Sequence, residues 1–255
     1  MAERRRRIVA TLVTIAVVVG GFAYDYYENR TPLPVINGAT SSLAPQAVKQ
    51  EVQSKPESTL AGNTLETLEV KGRAPKTGYK RTQFSDGWAN LGACDVRNYI
   101  LARDMVNVVY KTPTDCTVIS GTLQSDPYTG KTINFTRGAD TSDDVQIDHV
   151  VAISNAWQTG AQQLTYEQRH QLYNDPLELI AVDGPANNQK GDGDAATWLP
   201  SNKDYRCRYV ARQIAVKAKY TLWVTTAERD AMRRILATCP DQQLPTVQTP
   251  ANVTQ

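Results

Sequence analysis

Residues 145–157 read VQIDHVVAISNAW, an apolar stretch interrupted by an acid and an imidazole side by side. The sequence holds only two histidines, and the other is His170. The β-branched residues flanking Asp148 and His149 predict a short strand. Neighbouring side chains of a strand point to opposite faces, but a bend at the strand end brings both to one cleft. There the two have different chemistry. The carboxylate is a hard oxygen ligand suited to a divalent ion such as Mg²⁺. The neutral imidazole, with an ordinary pKa of about 6.5, takes a proton from water near neutral pH. An Asp-His dipeptide by itself is more often structural than catalytic, so its surroundings decide.

Working outward, apolar spacing over Asp95–Tyr110 predicts a helix. CTVISGTL (Cys116–Leu123) reads as a strand, DPYTGK (Asp126–Lys131) as a turn and TINF as its partner strand. LELIAV (Leu177–Val182) is a further strand. GPANNQKGDGDAATW reads as a Gly/Asn-rich turn leading into a short helix. A long helix spans Asp204–Tyr220, and Thr225-Thr226-Ala227-Glu228 is a capping box that opens another, ending near Cys239. Strands and helices in this order indicate an α+β fold.

The 255 residues are 41% hydrophobic and 21% charged, enough to bury one core. The net charge is only +2, and Arg4 to Arg7 supply four of the basic residues, which excludes a protein that coats a polyanion through bulk charge. Those arginines precede an apolar run from Ile8 to Tyr24, so residues 1–24 read as a signal anchor, in preference to a cleaved signal peptide. Residues 25–64, rich in Pro, Ser, Thr, Ala and Gln, read as a flexible stalk, 65–239 as the folded domain and 240–255 as a disordered tail. The four cysteines all follow the apolar run. An even number in an exported protein suggests two disulfides, and of three connectivities the local one, Cys94–Cys116 with Cys207–Cys239, clips neighbouring elements. No C-x-x-C spacing supports a zinc site.

Downstream of the Asp-His pair, LELIAVDGPANNQKGD offers Asn187, Asn188 and Lys190 after a strand and a turn. An amide oxygen is another hard ligand, and a lysine suits a phosphate. Together with CDVRN, GTLQSDPYTGK, VQIDHVV and NQKGDGDAATWLP, this chain resembles the HNH, or ββα-metal, nucleases, in the Asp-His…Asn-x-x-Lys branch of GmrSD-type C-terminal domains and secreted bacterial nucleases. The resemblance covers roughly residues 65–239. It implies a ββα-metal core with additional helices, Asp148 and Asn187 as ligands of one divalent ion (Mg²⁺ first, Mn²⁺ or another as alternatives) and His149 as general base. Many relatives carry an Asn on the second strand that ties the loop holding the Asp-His pair. Glu178 stands there in this chain, able to accept backbone N–H bonds.

Lys190 and Arg97 are candidate contacts to substrate phosphate, with a solvated charge and a carboxylate pairing as their plain alternatives. Asp126 and Tyr128 read as turn and packing residues, Asp192 and Asp194 as helix caps, and His170 as a helix-surface residue. Arg208, Arg212 and Lys219 share one helix face that either tracks a nucleic-acid backbone or is simply solvated. The expected function is an extracytoplasmic endonuclease acting on DNA in preference to RNA, with the membrane met through the N-terminal segment. Its rivals are a non-catalytic envelope module with the same fold and a hydrolase of another phosphoester.

Overall fold

A computed structural model of the chain describes residues 60–245. Helix α1 (Ala61–Thr67) leads through an irregular segment, with one 3-10 turn at Arg81–Gln83, to a short ladder between β1 (Asn90–Leu91) and β2 (Cys94–Asp95). Helix α2 (Val96–Asp104) is followed by β3 (Val106–Tyr110), β4 (Val118–Leu123) and β5 (Ile133–Thr136), antiparallel in the order β3-β4-β5. Strand β6 (Val145–His149) pairs antiparallel with β7 (Leu179–Asp183), and helices α3 (Ile153–Gln158) and α4 (Tyr166–Tyr173) lie between them in the chain. Helix α5 (Gly184–Lys190) starts where β7 ends, and α6 (Arg206–Lys219) and α7 (Thr226–Leu236) follow. The fold is α+β. The expected anchor at 1–24, the stalk up to residue 59 and the tail from 246 lie outside the described residues. No helix among the described residues is long and apolar enough to cross a membrane.

The β6–β7 pair is covered on both faces, which explains why its sequence is nearly continuously apolar. Alternation turns Val145, Ile147, Leu179 and Ala181 toward Ile100 and Leu101 of α2 and Phe135 of β5. Ile180 and Val182 face the other way, into a larger cluster around α6 with Tyr209, Val210 and Ile214. Each buried Val, Ile, Leu or Phe among them contributes about 1.5–3 kcal/mol by leaving water. Asp148 and His149 end β6 on opposite faces of this covered layer.

Local chemistry sets the boundaries of the elements that carry the site. Asp183 caps α5 by accepting from the Ala186 N–H at 2.8 Å, and Pro185 sits in the first turn. Gly184 is required at the junction, because a Cβ there would lie 1.9 Å from the Asp143 carbonyl oxygen. GPANNQK is therefore the helix itself, where a turn was expected. The helix expected over Asp95–Tyr110 likewise stops at Asp104. Asp95 caps it by accepting from Asn98 N–H at 2.7 Å, but the β-branched run after Met105 leaves the helix and pairs with β4.

Two further expectations meet the structure directly. The disulfides are Cys94–Cys116 and Cys207–Cys239. The capping box at Thr225 is formed with Glu228 and opens α7. Helix α1 begins at Ala61, inside the stretch read as stalk. Ala61 is fully buried and its N–H donates to Gln242 O at 2.9 Å, so residues on both sides of 65–239 belong to the packed structure.

Candidate active site

The chain turns away from β6 immediately after His149, and Glu178 holds that turn. Its backbone carbonyl accepts from Val150 N–H at 3.0 Å, and its carboxyl oxygens lie 3.2 and 3.3 Å from Val151 N. The carboxyl is fully buried, and burial pushes its pKa well above the usual carboxylate range, against the lowering effect of the Val151 bond. The side-chain contacts of Glu178 to this loop are those of an acceptor, where an Asn could also donate.

His149 is fixed on three sides. Its Nε2 lies 2.9 Å from the Tyr173 carbonyl oxygen, which can only accept, so Nε2 carries the hydrogen and Nδ1 keeps a lone pair. Trp88 stacks on the ring at 5.8 Å with an interplanar angle of 8°, and the Tyr173 ring lies 4.4 Å away. Burial lowers the His149 pKa to about 3, helped by the charges of Arg81 and Lys190 and opposed by the Tyr173 carbonyl. The imidazole is neutral throughout the physiological range.

Asp148, on the other face of β6, accepts a hydrogen bond from the Tyr128 hydroxyl. Lys190 Nζ lies 3.0 Å from its Oδ1 and 2.9 Å from its Oδ2, and donates to His149 O at 2.8 Å. Lys190 is 3% exposed, so the expectation that it touches substrate phosphate is corrected: its ammonium is turned inward and neutralises the carboxylate. Tyr128, read from the sequence as a turn and packing residue, is brought by the fold to the Asp148 carboxylate. Burial and the neighbouring Asp148 charge push its pKa well above the ordinary value, so the phenol remains a donor. Asp126 holds the Tyr128 turn against β7. Its carboxylate accepts from Tyr128 N–H at 3.1 Å and from Asp183 N–H at 2.8 Å. In the sequence, DPYTG marks the turn without naming what the tyrosine meets.

Asn187, in the middle of α5, donates through Nδ2 to Gln146 Oε1 at 2.8 Å, which leaves its carbonyl oxygen uncommitted. Asp148, His149 and Asn187 line one cleft of about 310 Å³. A larger cavity, roughly 530 Å³, is lined by His170, Lys219 and Tyr220 and contains none of the three. The Asp, His and Asn singled out in the sequence therefore meet in the smaller cleft. Among the described residues no cluster of three or more His, Cys, Asp and Glu side chains forms a metal cage. What the cleft offers is two hard oxygen donors, a carboxylate and an amide carbonyl, the set that suits a partly hydrated divalent ion such as Mg²⁺. Asp148 Oδ1 accepts only from Lys190, so acceptor capacity remains there.

Other expected residues fall elsewhere. Arg97 is on α2, where burial and the charge of Arg137 lower its pKa while Asp95 and Asp143 oppose the shift, and it does not line the cleft. Arg212 donates to Leu179 O at 3.0 Å and Lys219 pairs with Asp175 at 2.6 Å, so that helix face is largely committed internally. Asp194 was expected to cap a helix, but no helix begins there: its carboxylate accepts from Ala196 N–H at 3.0 Å within a turn and pairs with Arg73 at 2.7 Å. Asp192 lines the cleft instead, bound to Lys76 and Ser154, each at 3.1 Å.

Residues 95–235 match the family of GmrSD restriction endonucleases, C-terminal domain. The chain is also 36% identical over 211 residues to an uncharacterized secreted protein of Arthroderma benhamiae, covering 82% of this chain and 98% of that protein. No solved structure matches the chain. The family region contains Tyr128, Asp148, His149, Glu178, Asn187 and Lys190. It begins after Arg81, which lines the cleft, and Trp88, which stacks on His149, both from the segment upstream.

Proposed function

Since the chain belongs to the family of GmrSD restriction-endonuclease C-terminal domains, we propose that it is a metal-dependent endonuclease of HNH type, hydrolysing phosphodiester bonds in DNA in preference to RNA, with little sequence specificity. The observation that carries this reading is a neutral imidazole with a bare Nδ1, fixed in the cleft that Asp148 and Asn187 share. Nδ1 takes a proton from a water whose oxygen forms the new bond to phosphorus, the bond to the departing sugar oxygen breaks, and that oxygen takes its proton from solvent. Tyr173 and Trp88 keep the ring in one orientation, so no reorganisation is needed at the moment of transfer. Tyr128 and Lys190 hold the Asp148 carboxylate in place, and Gln146 holds the Asn187 amide. A divalent ion, Mg²⁺ or Mn²⁺, held by Asp148 and Asn187 would supply Lewis-acid stabilisation of the phosphate oxygens.

An imidazole of pKa about 3 is a weak base in the free protein. The negative charge of a bound phosphodiester opposes the charges of Arg81 and Lys190 and so raises its basicity, while burial, the main cause of the lowering, stays in place. Export fits the two disulfides, the arginine-led apolar run at the N-terminus and the fungal relative's being a secreted protein. The test is plasmid cleavage with Mg²⁺, with Mn²⁺ and with chelator, beside His149→Ala. That variant should lose about 10²–10⁴-fold in rate. Cleavage that survives it, or that ignores chelation, overturns the reading.

A further inference from the structure

The charges around the cleft leave one cation without a counterpart. Asp148 is matched by Lys190 at 2.9 Å and Asp192 by Lys76 at 3.1 Å. His149 is neutral. Arg81 also lines the cleft and makes no ion pair among the described residues. Its guanidinium is nonetheless held in place. Nε donates to the Tyr173 hydroxyl at 3.0 Å and the group lies 5.0 Å from the centre of the Tyr173 ring, while both terminal nitrogens stay unengaged. Tyr173 thus orders two groups at once: its carbonyl fixes His149 and its phenol fixes Arg81. A guanidinium so placed presents a preformed fork of donors matched to a phosphate.

We propose that Arg81 is the anion-binding residue of this cleft, held by Tyr173 beside His149 to take a non-bridging oxygen of the nucleic-acid strand. The inference rests on the nuclease reading above and adds a residue from outside the family region, which begins at Asp95. Tyr173 is its positioning residue.

The experiment uses the full chain with His149→Ala to stop cleavage, and follows binding of a fluorescent oligonucleotide by anisotropy across a salt series. Arg81→Gln should weaken binding about tenfold, the worth of one charge-assisted contact. It should also flatten the plot of log affinity against log salt by about 0.7–0.9, one phosphate fewer. Tyr173→Phe keeps the charge and loses the tether. It should leave the slope unchanged and cost roughly threefold in affinity, a split that general loosening of the fold does not produce. Arg81→Lys should restore the slope without the full affinity, and it serves also if the Gln variant fails to fold. Binding by the His149→Ala parent with affinity and slope untouched by Arg81→Gln overturns the role of Arg81 and leaves the nuclease reading standing. A parent that binds neither DNA nor RNA overturns both.

Discussion

Lys190 with Asp148 and Lys217 with Glu228 are the same chemical pair in two settings. Both lysines are buried, at 3% and 0% exposure. Lys217 sits on α6, 3.0 Å from the Glu228 carboxylate on α7 and 2.9 Å from Trp223 O. Glu228 in turn closes the capping box with Thr225, so the interactions around that pair are internal to the helix layer. Asp148 has comparable partners in Lys190 and Tyr128 but opens onto a cleft beside an imidazole and an uncommitted amide oxygen. A buried ion pair is therefore no mark of function in this fold. The difference lies in what the carboxylate still faces once its cation is satisfied.

Removing the two lysines should separate the roles. Lys217→Met leaves Glu228 buried without its cation and should cost about 3–5 kcal/mol in urea denaturation, with cleavage per folded molecule unchanged. Lys190→Met should cost less stability, because Asp148 reaches the cleft, while cleavage falls about a hundredfold as the carboxylate loses its fixed orientation. A divalent ion should restore part of the Lys190→Met loss in a thermal melt and none of the Lys217→Met loss. If both variants lose stability alone, the distinction between the pairs collapses.

Much of the site could be read in the sequence because its parts are local. Asp148 and His149 are adjacent, and one helix following one strand carries Asn187 and Lys190. Glu178 lies one residue before β7, where its reach to the turn after His149 follows from strand pairing. Tyr128, Trp88, Tyr173 and Arg81 were missed because each meets the site through a contact distant in sequence, and no spacing rule encodes those. Lys190 was misjudged for a related reason. The sequence shows a lysine near the ligands, but only the packing of α5 against β6 tells that its ammonium points inward. The overlong helix at 95–110 is a failure of periodicity, since VNVVY satisfies an apolar spacing while its β-branched residues pair with β4.

The pH response sharpens the contrast next. The folded pKa of His149 is lowered to about 3 from an ordinary 6.5, so between those values the unfolded chain holds a proton that the native ring refuses. Stability from this group is full above pH 6.5 and falls as pH drops toward 3, by about 1.4 kcal/mol per pH unit. Glu228 acts in the opposite sense: burial raises its pKa, so acid relieves a cost that the ionised form bears. Denaturation of the wild type and His149→Gln at matched pH values should show a stability gap that shrinks from pH 6.5 downward. A constant gap would mean that the native ring takes up its proton at the same pH as the unfolded chain, and the lowered pKa of His149 would be refuted.

The smallest effect expected is also the most specific. Tyr128→Phe deletes one hydroxyl and keeps a ring packed 4.8 Å from Trp198 and 5.8 Å from Tyr209. The lost bond to a charged acceptor should cost about 1.5 kcal/mol of stability, since Lys190 remains to satisfy Asp148. Cleavage should fall further than that small loss explains, about tenfold, because one of the two groups that orient the carboxylate has gone. Excess divalent ion should recover part of the rate if the defect is a looser ligand. A variant with wild-type rate would show that Lys190 alone orients Asp148, and would reduce Tyr128 to the packing residue that its place in the DPYTG turn suggests.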